Sequence, residues 1–303
     1  MNDSQAPQGR LDARYRAFLE TIATLRPKLH RYCAHMTGST FDGEDVVQDA
    51  LFDAYRHLES YDESRPIGPW LFRIAHNRCI DFLRRREVRA QAEDAAAEPE
   101  VIAAIDPPGH ALGRAVEHLV QRLPPKERAC VLLKDVFDYS IDEIADLVDS
   151  TPGGVKAALH RGREKLNAQP PRAAAHPAPA MREEEERLLR LYVERFNQRD
   201  WDGLRTLIAA DATLRVADWF DGPLRESPYF TRYASLPVPM LATLTDVDGQ
   251  PAIVLRPETE DAAPRAVVRI VIDGGRIAHI TDYSHCPWML EAASHVSPIR
   301  VSA

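Results

Sequence analysis

Arg73, Asn77 and Arg78, followed by Arg84, Arg85 and Arg86, fall in one stretch that opens on Trp70 and Phe72. Arginines bind phosphates, while aromatic and amide groups stack on or hydrogen-bond an unpaired base. The preceding loop, with Pro66, Gly68 and Pro69, offers a pocket for an everted base. Further along, Val155–Leu166 reads as the second helix of a helix-turn-helix, the helix that enters a major groove. Val155, Leu159 and Leu166 recur at helical spacing and turn to the core, with Ile144, Ala145 and Val148 as the matching apolar face. That leaves Lys156, Ala157, His160, Arg161 and Arg163 toward DNA.

These groups need helices to hold them. Phe18, Ile22, Leu25, Leu29, Tyr32 and Cys33 mark a helix over Arg14–Thr37. Asp42-Gly43-Glu44-Asp45 supplies an N-cap and first-turn acids for a second helix through Leu58. Its apolar stripe is Val46, Val47, Ala50, Leu51, Ala54, Tyr55 and Leu58. The loop Tyr61–Pro69 leads to a third helix from about Trp70 to Arg89. Pro124-Pro125 opens a helix to about Phe137. Ser140 caps the next, Ile141–Val148, with Glu143 at the capping-box position. Asp149–Gly154 is the turn.

The spacing predicts domains at 12–90 and 113–168, joined by an acidic Ala/Glu/Pro linker at 91–112. A Pro/Ala linker at 169–182 leads to a third domain at 183–292, of α+β texture. It opens with a helix over Glu183–Arg199. Strands follow at Thr213–Val216, Pro251–Leu255, Ala266–Ile272 and Arg276–Asp282, and Gly274-Gly275 signals a hairpin.

The 303 residues carry a net charge of −8, which argues against a uniform basic coat. Locally the sign reverses: Arg65–Gln91 holds seven arginines against Asp81 and Glu87. Cys33, Cys79, Cys130 and Cys286 are widely spaced, with no metal-ligand pattern, and read as packed, reduced thiols. No metal and no cofactor is expected. No apolar run approaches a membrane span and Met1–Arg10 lacks a signal peptide, so a cytoplasmic location is expected.

Several motifs resemble extracytoplasmic-function sigma factors. Asp45-Val46-Val47-Gln48-Asp49, Trp70-Leu71-Phe72-Arg73-Ile74-Ala75 with Asn77, then Asp81 and the arginine run, are similar to their region 2. Leu123-Pro124, Glu143-Ile144-Ala145 and Val155-Lys156 with Leu159-His160-Arg161-Gly162-Arg163 are similar to region 4. The resemblance implies that Asp45, Gln48, Asp49 and Phe52 bind the coiled-coil clamp of RNA polymerase's largest subunit. It implies that Tyr61, Asp62 and Asn77 read the displaced strand of the −10 element, and that Lys134, Lys156, His160 and Arg161 contact the −35 element. One departure is Ala157-Ala158, where the family often carries Ser-Arg.

Leu191–Asn197, Asp200–Leu204 and the later Asp273–Ile280 resemble SnoaL-like domains of the nuclear-transport-factor-two fold. Such a domain is an α+β cone, and Asp218, Asp282, His285 and Trp288 are the candidates to line its interior. A catalytic dyad needs an acid and a base within hydrogen-bond reach, and nothing in the spacing supplies one. The expectation is therefore a non-enzymatic sigma factor whose partners are core polymerase and promoter DNA, regulated in cis by its last domain. The alternative is a helix-turn-helix regulator fused to a ligand-binding or cyclase-like domain.

Overall fold

The computed structural model describes residues 6–94, 123–168 and 183–294, apart from 63, 65, 218, 249, 260 and 261. Asp218, most of both expected linkers and the helix expected over 113–123 thus lie outside the described residues, Leu123 apart. The chain divides into two compact units, Met1–Ala175 and His176–Ala303.

In the first unit, α1 (Ala6–Thr37) ends on Gly38, whose φ of 84° lies in the left-handed region that favours glycine. The chain turns at once, and Ser39, not the expected Asp42, caps α2 (Thr40–Arg56): its Oγ accepts the Asp42 N–H at 3.1 Å. Asp42 and Gly43 therefore lie inside the helix. Gly43 crosses α1 so closely that a Cβ there would sit 2.5 Å from the Ala34 nitrogen. α3 (Ile67–Asp94) starts three residues earlier than expected, with Pro69 in its first turn, and runs five residues past the expected end at Arg89.

Val47, Ala54, Leu71, Phe72, Ala75 and Cys79 close a core around Tyr32. Inside it, the Tyr32 hydroxyl and His76 Nδ1 share a hydrogen bond at 2.8 Å. Burial pushes the His76 imidazole down to about 4, so the ring is neutral at physiological pH. Glu44, fully buried, pairs with Arg26.

The second helical module begins with α4 (Pro125–Val131), with proline in the first turn. The expected continuous helix to Phe137 instead changes to π geometry over Leu132–Val136, and Phe137 N donates to Leu132 O at 3.1 Å. Asp138, at φ 56°, then reverses the chain. The Ser140–Glu143 capping box starts α5 (Ile141–Leu147), and α6 (Pro152–Ala168) follows the turn.

The two modules share one core. The π turn presents Phe137 and Tyr139 to the first module, where Phe137 lies edge-on to Tyr32 at 5.9 Å and Tyr139 lies 5.6 Å from Phe72. Lys28 Nζ sits 4.6 Å from the Tyr139 ring centre, and the Arg31 guanidinium 5.2 Å from that of Phe137. The last carbonyls of α1 lack intrahelical donors and take arginines instead: Thr37 O accepts Arg86, and Met36 O accepts Arg128 from α4. Burial, with Arg86 nearby, brings the Arg128 guanidinium down to about 10, still cationic at neutral pH.

The second unit has the expected α+β composition. It opens with α7 (Glu183–Asn197) and α8 (Trp201–Thr206). The strands are β1 (Ile208–Val216), β2 (Phe220–Pro223), β3 (Met240–Val247), β4 (Gln250–Pro257), β5 (Ala266–Asp273) and β6 (Arg276–Asp282). They form one sheet ordered β2-β1-β6-β5-β4-β3, in which only β1 and β6 pair in parallel. Gly274 and Gly275, at φ 56° and 74°, make the predicted β5–β6 turn. Leu189, Tyr192 and Phe196 of α7 pack with Leu214, Leu244, Ile253 and Ile280 on one sheet face. Asn197 fixes α7 to the sheet by exchanging two hydrogen bonds with the Ala242 backbone, at 3.0 and 2.8 Å. Two short helices, α9 (Tyr229–Ala234) and α10 (Pro287–Ser294), complete the unit.

Candidate polymerase and nucleic-acid interfaces

Along α2, the outward stripe is Asp49, Phe52 and Tyr55. Phe52 is 62% exposed and Tyr55 53%. Tyr55 was expected in the core; it instead stands edge-on to Tyr15 at 5.6 Å on the surface. Of the four residues expected on polymerase, Asp49 and Phe52 lie on this stripe. Asp45 is half-buried, and Gln48 donates its amide to buried Glu44 at 3.1 Å.

α3 exposes Arg73, Asn77, Asp81 and Arg84 at helical spacing. Trp70 begins the same side of the helix, and the Tyr61 ring packs on it at 4.8 Å. Asp62 closes the preceding loop by accepting Ser64 N and Oγ at 3.0 and 2.7 Å. Three further arginines have internal partners. Arg78 donates to Asp53 of α2, Arg85 to Asp81 O at 3.3 Å, and Arg86 to the end of α1.

In α6, Val155, Ala158, Leu159 and Gly162 are buried, and Lys156, Ala157, His160, Arg161 and Arg163 are exposed. Lys156, His160, Arg163 and Asn167 line a groove of about 450 Å³ floored by Ile141 and Leu159. His160 pairs with Glu164 at 3.1 Å, Arg163 with Asp135, and Arg161 with Glu127 at 3.0 Å. Lys134 holds the turn after the π segment, donating to Tyr139 O at 3.2 Å.

In the second unit, Asp282 is buried and uses both carboxylate oxygens: Oδ2 accepts the Tyr233 hydroxyl at 2.6 Å and Oδ1 accepts Ser284 N at 2.8 Å. Burial and this carboxylate push the Tyr192, Tyr229 and Tyr233 phenols up, so all three stay protonated. His285 stacks on exposed Trp219 at 5.2 Å, and Trp288 is half-buried on α10. Among the described residues no hydrogen bond joins Asp282 to His285, and no cluster of His, Cys, Asp and Glu is placed to hold a metal. All four cysteines are free and buried. No helix of the described residues is long and apolar enough to cross a membrane.

Comparison with known proteins settles the family. The Sigma-70 region 2 profile matches residues 21–89, and the Sigma-70 region 4 profile matches residues 113–166. The chain is 31% identical to the ECF RNA polymerase sigma factor SigW of Bacillus subtilis, over 50% of this chain and 88% of that one. It belongs to the extracytoplasmic-function sigma factors. SigG of Mycobacterium tuberculosis is 30% identical over 65% of this sigma factor and 61% of its own length. Among solved structures, the M. tuberculosis sigma factor SigJ covers 87% of this chain and 95% of its own, at 16% identity and a TM-score of 0.36. RpoE of Bartonella quintana, solved with the anti-sigma factor NepR, covers 50% and 96%, at 21% and 0.43.

The chain is thus a sigma factor of transcription initiation, a regulatory protein whose regions 2 and 4 bind core polymerase and promoter elements. In its numbering, α1–α3 are region 2 and α4–α6 region 4. The sequence reading missed Tyr55 as a surface aromatic and the carboxylates Asp53, Glu127 and Asp135, which pair with Arg78, Arg161 and Arg163. Their pairing distances of 25, 34 and 28 residues leave no local signal.

Proposed function

We propose that Asp49, Phe52 and Tyr55 form the polymerase-binding stripe of α2, with Asp45 and Gln48 at its half-buried margin. On α3, Arg73, Asn77 and Arg84, with Tyr61 against Trp70, hold the displaced −10 strand. On α6, Lys156, His160 and Arg161 meet the −35 element. The observation that carries this reading is the sorting of polar groups. On α3 the exposed face from Arg73 to Arg84 continues the tyrosine–tryptophan pair, while Arg78 is paired inward. An arginine whose Nε and Nη2 are both taken by a carboxylate of its own fold, as Asp53 takes those of Arg78, contributes little to phosphate capture, so the groups left outward define the footprint. Replacing Asp49 with arginine should weaken core polymerase capture by at least tenfold, since it places a like charge at a polar contact. A pull-down with purified core checks this, and undiminished capture would move the contact off α2.

The cytoplasm is where this protein works, with polymerase and promoter DNA. Its second unit regulates in cis rather than catalysing a reaction, because the Asp282 carboxylate is taken up by Tyr233 and the Ser284 backbone. A separately packed unit tethered through a short linker is held near regions 2 and 4 at an effective concentration on the order of millimolar. Even a weak contact then biases the docked against the separated arrangement of the two regions. Truncation after Ala168, the last residue of α6, should therefore raise transcription in a purified system. Identical transcription, promoter affinity and core affinity for the full and truncated chains would remove the second unit as a regulator.

A further inference from the structure

Glu127 projects from α4 beneath α6, with its side chain only 8% exposed. Its Oε1 accepts Arg161 Nε at 3.0 Å and its Oε2 accepts Lys165 Nζ at 2.8 Å. Burial by itself would raise this carboxyl, but Lys165 and Arg161 together hold it below the usual range. The helices come this close because residue 162 is glycine: a Cβ there would lie 2.9 Å from Val131 Cγ2 and 3.6 Å from Glu127 Cβ.

How each arginine is held matters more than that it is held. Arg163 meets Asp135 through both Nε and Nη2, so the face of its guanidinium that best fits an anion is occupied. Arg161 meets Glu127 through Nε alone. Its side chain stays 54% exposed, with both Nη groups unengaged among the described residues. A guanidinium anchored at Nε keeps a two-pronged donor at its end, the shape that suits either guanine O6 and N7 or two phosphate oxygens. Anchoring also removes part of the rotamer freedom that an arginine otherwise loses on binding.

We propose that Glu127 is a positioning residue of region 4, a buttress that aims the Arg161 Nη pair at the −35 DNA, while Asp135 withdraws Arg163 from it. This rests on the reading of Arg161 as a DNA contact, and the experiment separates the two. Holoenzyme is assembled from full-length chains and core polymerase, which removes any influence of the docked region 2–region 4 state. Its binding is measured on a duplex selected from a random library by the wild-type holoenzyme and on a scrambled duplex, across a salt series.

R161A should bind the selected duplex about tenfold more weakly, and E127A should lose nearly as much. E127Q should recover most of the loss, because its amide oxygen still accepts from Nε. The E127A/R161A double variant should be no worse than R161A, and D135A should gain no discrimination between the two duplexes. A phosphate contact would appear as a salt slope lower by about one, and a guanine contact as a loss confined to one base position. If R161A binds as wild type, the assignment of Arg161 to DNA falls. If R161A weakens binding while E127A binds as tightly as wild type or tighter, Arg161 stands and the buttress is overturned. A double variant weaker than R161A by the full factor of E127A would mean that Glu127 acts only on stability, and overturns it equally.

Discussion

Replacing Phe137 with alanine should release region 4 from region 2. The ring lies between Tyr32, Phe72 and the Arg31 guanidinium, with 8% of its surface exposed. Truncating a buried phenylalanine costs about 3–5 kcal/mol, and even the lower figure shifts a docking equilibrium by more than a hundredfold. Because all four native thiols are buried, cysteines introduced at exposed Arg56 and Glu164 can be labelled selectively. The distance between the labels should then lengthen and broaden in the full chain. An unchanged distribution would mean that Arg128 on the α1 carbonyls suffices to hold the regions together. Separation has a functional reading, since two modules packed on a common core cannot simultaneously sit on two promoter elements spaced along a duplex.

A valine in place of Gly43 should be equally damaging, by a different route. Its Cβ would meet the Ala34 nitrogen and Cα at 2.5 and 2.6 Å, and backbone atoms cannot move aside as a side-chain tip can. The helices must separate, at a cost of about 3 kcal/mol, the upper end of ordinary overpacking. Hydrogen exchange should show α1 and α2 losing protection while the sheet of the second unit keeps its own. Core polymerase binding should fall with it, because α2 carries the polymerase stripe. Unaltered exchange in α1 would show that the crossing has slack that its geometry does not suggest.

What was legible in the sequence was local. The Ser140–Glu143 capping box, Pro125 at a helix start, strand Arg276–Asp282 and the Gly274-Gly275 turn each depend on neighbours within a few residues, and each is where the pattern put it. Strand β3 was overlooked although a local signal existed: Asp248, at φ 54°, and Gly249 lie between paired Val247 and Gln250. Ser39 took the cap from Asp42 because α1 ends at Thr37, as expected, and Gly38 turns the chain at once, so that the next helix starts before the acidic run.

For the interfaces, composition points to α3 and α6 but counts basic residues that internal partners already hold. An arginine run reads as a phosphate site until the opposing carboxylate is known, and Asp53, Glu127 and Asp135 are brought in by tertiary packing. Tyr55 erred in the opposite direction: an aromatic side chain on the flank of an apolar stripe can turn either way, and only the position of Tyr15 shows which.

The π segment Leu132–Val136 makes the placement of the docking rings tolerant of chain length. A π turn holds one residue more than the α turn it replaces. Its five residues turn the chain by about 400°, as four residues of α-helix do. Deleting one residue there would therefore restore α geometry with Phe137 and Tyr139 still turned toward Tyr32 and Phe72. A residue removed from α4 itself would instead swing everything beyond it by about 100° around the helix axis. In a lineage of such chains, a gap of one residue would be accepted at this segment and selected against in the turns before it.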